Sequence, residues 1–147
     1  MMYATIPEAD QYLDFHMKKR IWVYFEDKTS ALVSASRIID NLPIKSVIDG
    51  IEITTRPLPI DQFAPESQRL IKEGCIEIAL ALADGIDPEM EYRQLTKTTQ
   101  AYSVLRQQKN TEMMEPYIAL GIPSFAAWTR LMRFIDLSRT VDLERVS

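Results

Sequence analysis

At 147 residues, with 46% hydrophobic and 26% charged residues and only four glycines, the chain has the length and composition of one globular domain with a packed core. One cysteine, Cys75, and one histidine, His16, exclude a disulfide framework and zinc sites built on Cys/His clusters, and leave a Cys–His or Ser–His–Asp mechanism only if it uses His16. A formal net charge of −4 argues against a surface that grips nucleic acid everywhere, although it is compatible with a local basic patch.

The start of the chain runs straight into polar sequence, and nowhere do eighteen apolar residues follow one another. Neither a signal peptide nor a membrane span is expected, which implies a cytoplasm-like compartment. A first helix is signalled by Thr5-Ile6-Pro7-Glu8, where Thr5 caps the backbone, Pro7 is tolerated in the first turn and Glu8 completes a capping box. Ala9 and Leu13, with Tyr12, Phe15 and His16 one face over, extend its apolar stripe to about Met17. Lys18, Lys19 and Arg20 follow, ahead of the bulky run Ile21-Trp22-Val23-Tyr24-Phe25.

A second helix is expected from about Asp27, carrying Leu32, Ala35, Ile38, Ile39 and Leu42 at spacings of three and four and ending at Pro43. Val47-Ile48, Asp49-Gly50 and the alternating residues Ile51 to Thr55 then predict a small β-hairpin closed by Pro57 and Pro59. The third helix opens at Pro65-Glu66 and runs to Leu82, with Gly85 as its stop. Its apolar positions Leu70, Ile71, Cys75, Ile78, Ala79 and Leu82 trace one face, widened by Ile76, Leu80 and Ala83, so it is central to the fold. Asp87-Pro88 restarts a short helix to about Leu95, and Ala101 to Leu105 reads as a strand. Gly121-Ile122-Pro123-Ser124 leads into a last helix with Phe125, Trp128, Leu131, Met132 and Ile135 at helical spacing.

These elements predict a mainly α fold: a small bundle of about four to five helices with an inserted β-hairpin over residues 1–135, and an extended C-terminal tail over 136–147. Leu137, Val141, Leu143 and Val146 are spaced among charges in that tail. They are too few to fold alone but enough to dock on a partner.

No catalytic, cofactor or metal site is expected. Asp84, Asp87 and Glu89 lack the ligand spacing of a calcium loop and are explained by a helix stop and a helix cap. Cys75 lies on an apolar helical pattern and reads as core. His16 has no acid placed near it in sequence and reads as a capping or surface residue. The remaining feature is basic: Lys18, Lys19 and Arg20 beside aromatics, and a stretch over 93–109 holding Arg93, Lys97, Arg106, Lys109 and Tyr102 without an acid. Cations interleaved with rings suit a single-strand-binding groove, but the favoured reading is that Trp22, Val23 and Phe25 of this alternating apolar run pack in the core and that the basic stretch pairs with an acidic surface on a neighbouring subunit.

Taken in order, Tyr3-Ala4-Thr5 with Glu8-Ala9-Asp10-Gln11-Tyr12, Ala31-Leu32 through Ile38-Ile39-Asp40, Cys75 through Leu82, Asp84-Gly85 with Asp87-Pro88-Glu89, and Gly121-Ile122-Pro123-Ser124 with Ala127-Trp128 resemble a family of tailed-phage head–tail connector (adaptor) proteins, also labelled DnaT-like single-stranded-DNA-binding proteins. The resemblance spans most of the chain. It implies a structural virion protein with no enzymatic activity, assembled in the host cytoplasm as a homo-oligomeric ring of about twelve copies beneath the portal. It further implies a C-terminal segment that reaches the portal protein, a tail-side neck or tail protein as the other neighbour, and duplex DNA passing through the channel without specific recognition. The alternative it leaves open is a single-stranded-DNA-binding module of phage replication.

Overall fold

The computed structural model describes residues 1–86 and 116–137. Within them the fold is mainly helical with one two-stranded antiparallel hairpin, as the periodicity predicts. The helices are α1 (Ile6–Leu13), α2 (Lys19–Tyr24), α3 (Lys28–Asp40), α4 (Pro65–Ala83), α5 (Pro116–Ala119) and α6 (Phe125–Leu131). The hairpin strands are β1 (Val47–Ile48) and β2 (Ile51–Glu52), and single 3-10 turns cover Ile60–Gln62 and Met132–Phe134.

Local chemistry accounts for most of the ends. The Thr5 hydroxyl accepts the Glu8 N–H while the Glu8 carboxylate accepts the Thr5 N–H, closing the capping box at α1. Asp27 caps α3 by accepting the Ser30 N–H at 3.2 Å. Gly85, at φ +84°, ends α4: its N–H reaches the Leu82 carbonyl and the Ile86 N–H reaches that of Ala81, so two otherwise orphaned carbonyls are satisfied. In the hairpin both turn residues, Asp49 and Gly50, adopt positive φ, which matches the turn to the twist of the strands. The Asp49 carboxylate also accepts the Ala64 N–H at 3.0 Å, tying the turn to the start of α4.

α4 is the axis of the core and packs most extensively on α3 and α6. Leu32, Ala35 and Ile39 of α3 meet Cys75, Ile78 and Ala79 of α4 in one buried cluster with Leu13, Trp22, Leu131 and Ile135. Gly74 is required where α6 crosses, because a Cβ there would lie 2.7 Å from Leu131 Cγ. The N-terminus is sewn in by Tyr3, whose N–H is accepted by Ser36 and whose phenol donates to Asp40 and accepts the Leu58 N–H. At the other end Ile44 and Ile135 form an isolated antiparallel bridge, and the Asp136 N–H reaches the Pro43 carbonyl at 2.7 Å. The fold is therefore tied down as far as Asp136, one residue past the predicted end of the domain.

Several expectations are corrected. α1 ends at Leu13, not near Met17, and leaves Phe15 and Met17 96% and 100% exposed. Lys19 to Tyr24 form a helix, not an alternating segment, and of the bulky run only Trp22 is fully buried, while Val23 and Tyr24 are exposed. The hairpin is shorter than predicted, continuing past β2 only through the Ile53 N–H to Ser46 carbonyl bond. The last helix tightens at Met132, so that Phe134, not Met132, enters the core. The helix expected to about Leu95 and the strand expected at 101–105 lie outside the described residues.

Candidate functional site

The largest departure from the sequence reading lies along α4, on the side facing α1. Glu77 is the only charged residue between Cys75 and Ala83 and is 4% exposed. Its Oε1 lies 3.0 Å from His16 Nε2 and accepts the Tyr12 hydroxyl at 3.4 Å. The other imidazole nitrogen, Nδ1, accepts the Lys18 N–H at 3.0 Å, so Nε2 carries the proton and donates to Glu77. His16 is thus the buckle between the α1–α2 corner and the central helix. Both ring nitrogens are engaged, so the geometry orients the imidazole.

A second carboxylate, Glu73, sits one turn back and takes Arg130 Nε of α6 at 3.1 Å and Arg69 at 2.9 Å. The Arg130 guanidinium lies 6.0 Å from the centre of the Tyr12 ring. Burial opposes its charge, but Tyr12, Glu73 and Glu77 outweigh that and raise its pKa. Burial, followed by the Glu77 charge, pushes the Tyr12 phenol up to about 12, so it remains a donor. Farther along α1, Glu8 pairs with Lys72 at 2.7 Å. Burial raises the Glu8 pKa, yet the Lys72 and Thr5 hydrogen bonds win and hold it below the usual glutamate value. Cys75 is buried beside Ser36, and burial raises its thiol, so it packs as core.

The predicted basic cluster is divided by its neighbours. Lys18 pairs with Asp84 at 3.4 Å and Lys19 with Asp14 at 2.7 Å, while Arg20 is exposed and has no ion-pair partner among the described residues. The structure therefore does not bring Lys18, Lys19 and Arg20 together as a free cationic surface. Arg93, Lys97, Arg106 and Lys109 lie outside the described residues, as do Val141, Leu143 and Val146 of the tail. Leu137 is described and is exposed, directly beyond the last backbone tie at Asp136.

Two concave surfaces flank this network. One, of about 530 Å³, runs between α1 and the first half of α4 and is lined by paired charges, among them Glu8, Lys72, Arg69 and Glu73. The other, of about 280 Å³, lies between the α1–α2 corner, the C-terminal half of α4 and the start of α6, with Glu77 and His16 in its lining. Among the described residues no cluster of three or more His, Cys, Asp or Glu is placed to hold a metal, and no helix is long and apolar enough to cross a membrane. Compared with known protein families, with characterised proteins and with solved structures, the chain matches none.

Proposed function

We propose that the protein is a structural subunit of a phage head-to-tail connector: an adaptor that assembles as a ring beneath the portal and continues the DNA channel towards the tail. The observation that carries this reading is the large apolar side chain left in solvent by an otherwise closed core. Phe15 and Met17 stand out between α1 and α2, Tyr24 at the end of α2, and Phe125, Met132 and Leu137 on and beyond α6. Exposed aromatic and methionine side chains in such number are more typical of contact surfaces than of a monomer's periphery. The order of motifs along the chain supports the same reading, and so does the backbone tie at Asp136, which fixes the chain directly before the exposed Leu137.

The proposed partners are further copies of the chain, a portal protein, a tail-side neck protein and duplex DNA in the channel. In the competing reading, a single-stranded-DNA-binding module, Lys18 and Lys19 would be needed on phosphates, yet each is already paired with a carboxylate. Stopping the chain after Asp136 is expected to leave a folded domain that no longer joins a portal protein, measured as the mass of the mixture by light scattering. Undiminished joining by the shortened chain would remove the docking role of the tail. Saturable, salt-sensitive binding of a labelled oligonucleotide by the full chain would instead favour the single-strand reading.

A further inference from the structure

The smaller groove combines features that the connector reading does not use. Its lining holds the buried Glu77, and much of the rest of it is apolar, with Leu80, Ile86, Pro123 and Phe125. Both of the carboxylate's contacts, to His16 and to Tyr12, fall on Oε1, and Oε2 has no hydrogen-bond partner among the described residues. Leaving half of a buried carboxylate without a donor is costly; the cation that acts on it, Arg130, gives its hydrogen bonds to Glu73 and the Ala126 carbonyl, so no cationic donor touches Glu77 from within the described residues.

The surrounding field has the same sign. Ile86 and Ala81 place the groove at the C-terminal end of α4, where the partial charge of the helix is negative, and Asp84 lies at that end as well. The one cation in the lining, Lys18, is turned to Asp84 at 3.4 Å. At about 280 Å³ the space falls below the roughly 300–1,000 Å³ of pockets that take whole small molecules. It suits one long side chain.

We propose that this groove receives an arginine side chain presented by another protein chain, its methylenes against Leu80, Ile86 and Pro123 and its guanidinium on Glu77. Arginine fits better than lysine for two reasons. A planar guanidinium donates to a carboxylate in a fork, and it stacks on an aromatic face, which Phe125, 61% exposed, offers at the rim. The assignment stands apart from the connector reading, since the groove would take the same side chain from any partner.

His16 is the only histidine of the chain, so its ring protons are a unique signal in the lining of the groove. Titration of the full-length protein with acetyl-arginine amide, followed by proton NMR, is expected to move that signal saturably with a dissociation constant of about millimolar. Acetyl-citrulline amide, of the same shape without the charge, should leave it in place, and acetyl-lysine amide should bind more weakly. Glu77→Gln is expected to weaken arginine binding at least about tenfold. Because Glu77 is buried, Phe125→Ala at an exposed position serves as the second variant, with an expected loss of about threefold. No saturable shift, equal binding of citrulline, or full binding by both variants would overturn the proposal. Tighter binding of agmatine than of the blocked arginine would assign the groove to a free cation, and would overturn it too.

Discussion

The two sides of α4 are held by different forces. Towards α3 and the Leu131 crossing of α6 it presents Gly74, Cys75, Ile78 and Ala79 to Leu32, Ile39 and Leu131, and the contact is apolar and closed. Towards α1 it presents Lys72 and Glu77, which meet Glu8, Tyr12 and His16 in ion pairs and hydrogen bonds, and Glu73 extends this polar chain to Arg130 at the edge of α6. The first side carries the stability of the fold. The second fixes where α1 and the α1–α2 corner sit, and with them the groove over Glu77. A helix can in this way serve as a core element and as the back wall of a site, with the division running along its length.

The largest expected effect falls on the apolar side. Leu131→Ala removes a 2% exposed side chain from the crossing of α4 and α6 and should cost about 2–5 kcal/mol, read from the midpoint of urea unfolding. Gly74→Ala probes the same crossing from the other helix. An added methyl would meet Leu131 at 2.7 Å, and the resulting strain should outweigh the helix-propensity gain of about 1 kcal/mol, for a net loss of about 1 kcal/mol. A stabilising Gly74→Ala would show that α6 gives way easily there, and would blur the contrast between the two sides.

On the polar side the expected effects are smaller and depend on pH. Glu8 is held below the usual glutamate value of 4.5, so its contribution to stability is full above that value. It is lost as the pH falls through the lowered folded-state pKa. The stability difference between the wild type and Glu8→Gln should therefore shrink towards zero on acidification below about pH 4.5 and stay constant above about pH 6. Denaturant midpoints of both proteins across that range check it. A difference independent of pH would mean that the pair with Lys72 contributes nothing.

What the sequence made legible was local or periodic. The capping box at Thr5 and Glu8, the Asp49-Gly50 turn, the helix start at about Asp27 and the Gly85 stop each involve residues within a few positions of one another, and each is found where expected. The apolar faces of α3 and α4 follow from spacing alone, apart from partial exposure of Ile38, Leu70, Leu82 and Ala83. The early end of α1 did not follow, because Phe15 and Met17 continue the stripe in sequence although the chain turns away after Leu13. Nor did the link between His16 and Glu77, which joins positions 61 apart. One signal for it was present: a single carboxylate in the apolar run from Cys75 to Ala83 must be either exposed or partnered, and a lone histidine elsewhere in the chain was available to it.

The most direct measurement bears on the corner that α1 abandons. Phe15 and Met17 contribute almost nothing to the core, so the double substitution Phe15→Ser and Met17→Ser should leave stability within about 0.5 kcal/mol of wild type. If these side chains are contacts to neighbours, sedimentation velocity with a portal protein should show a high-mass complex for the wild-type chain, as the proposed function expects, and none for this variant. A variant that assembles as well as the wild type, with its stability unchanged, would contradict the reading of this surface as an assembly surface.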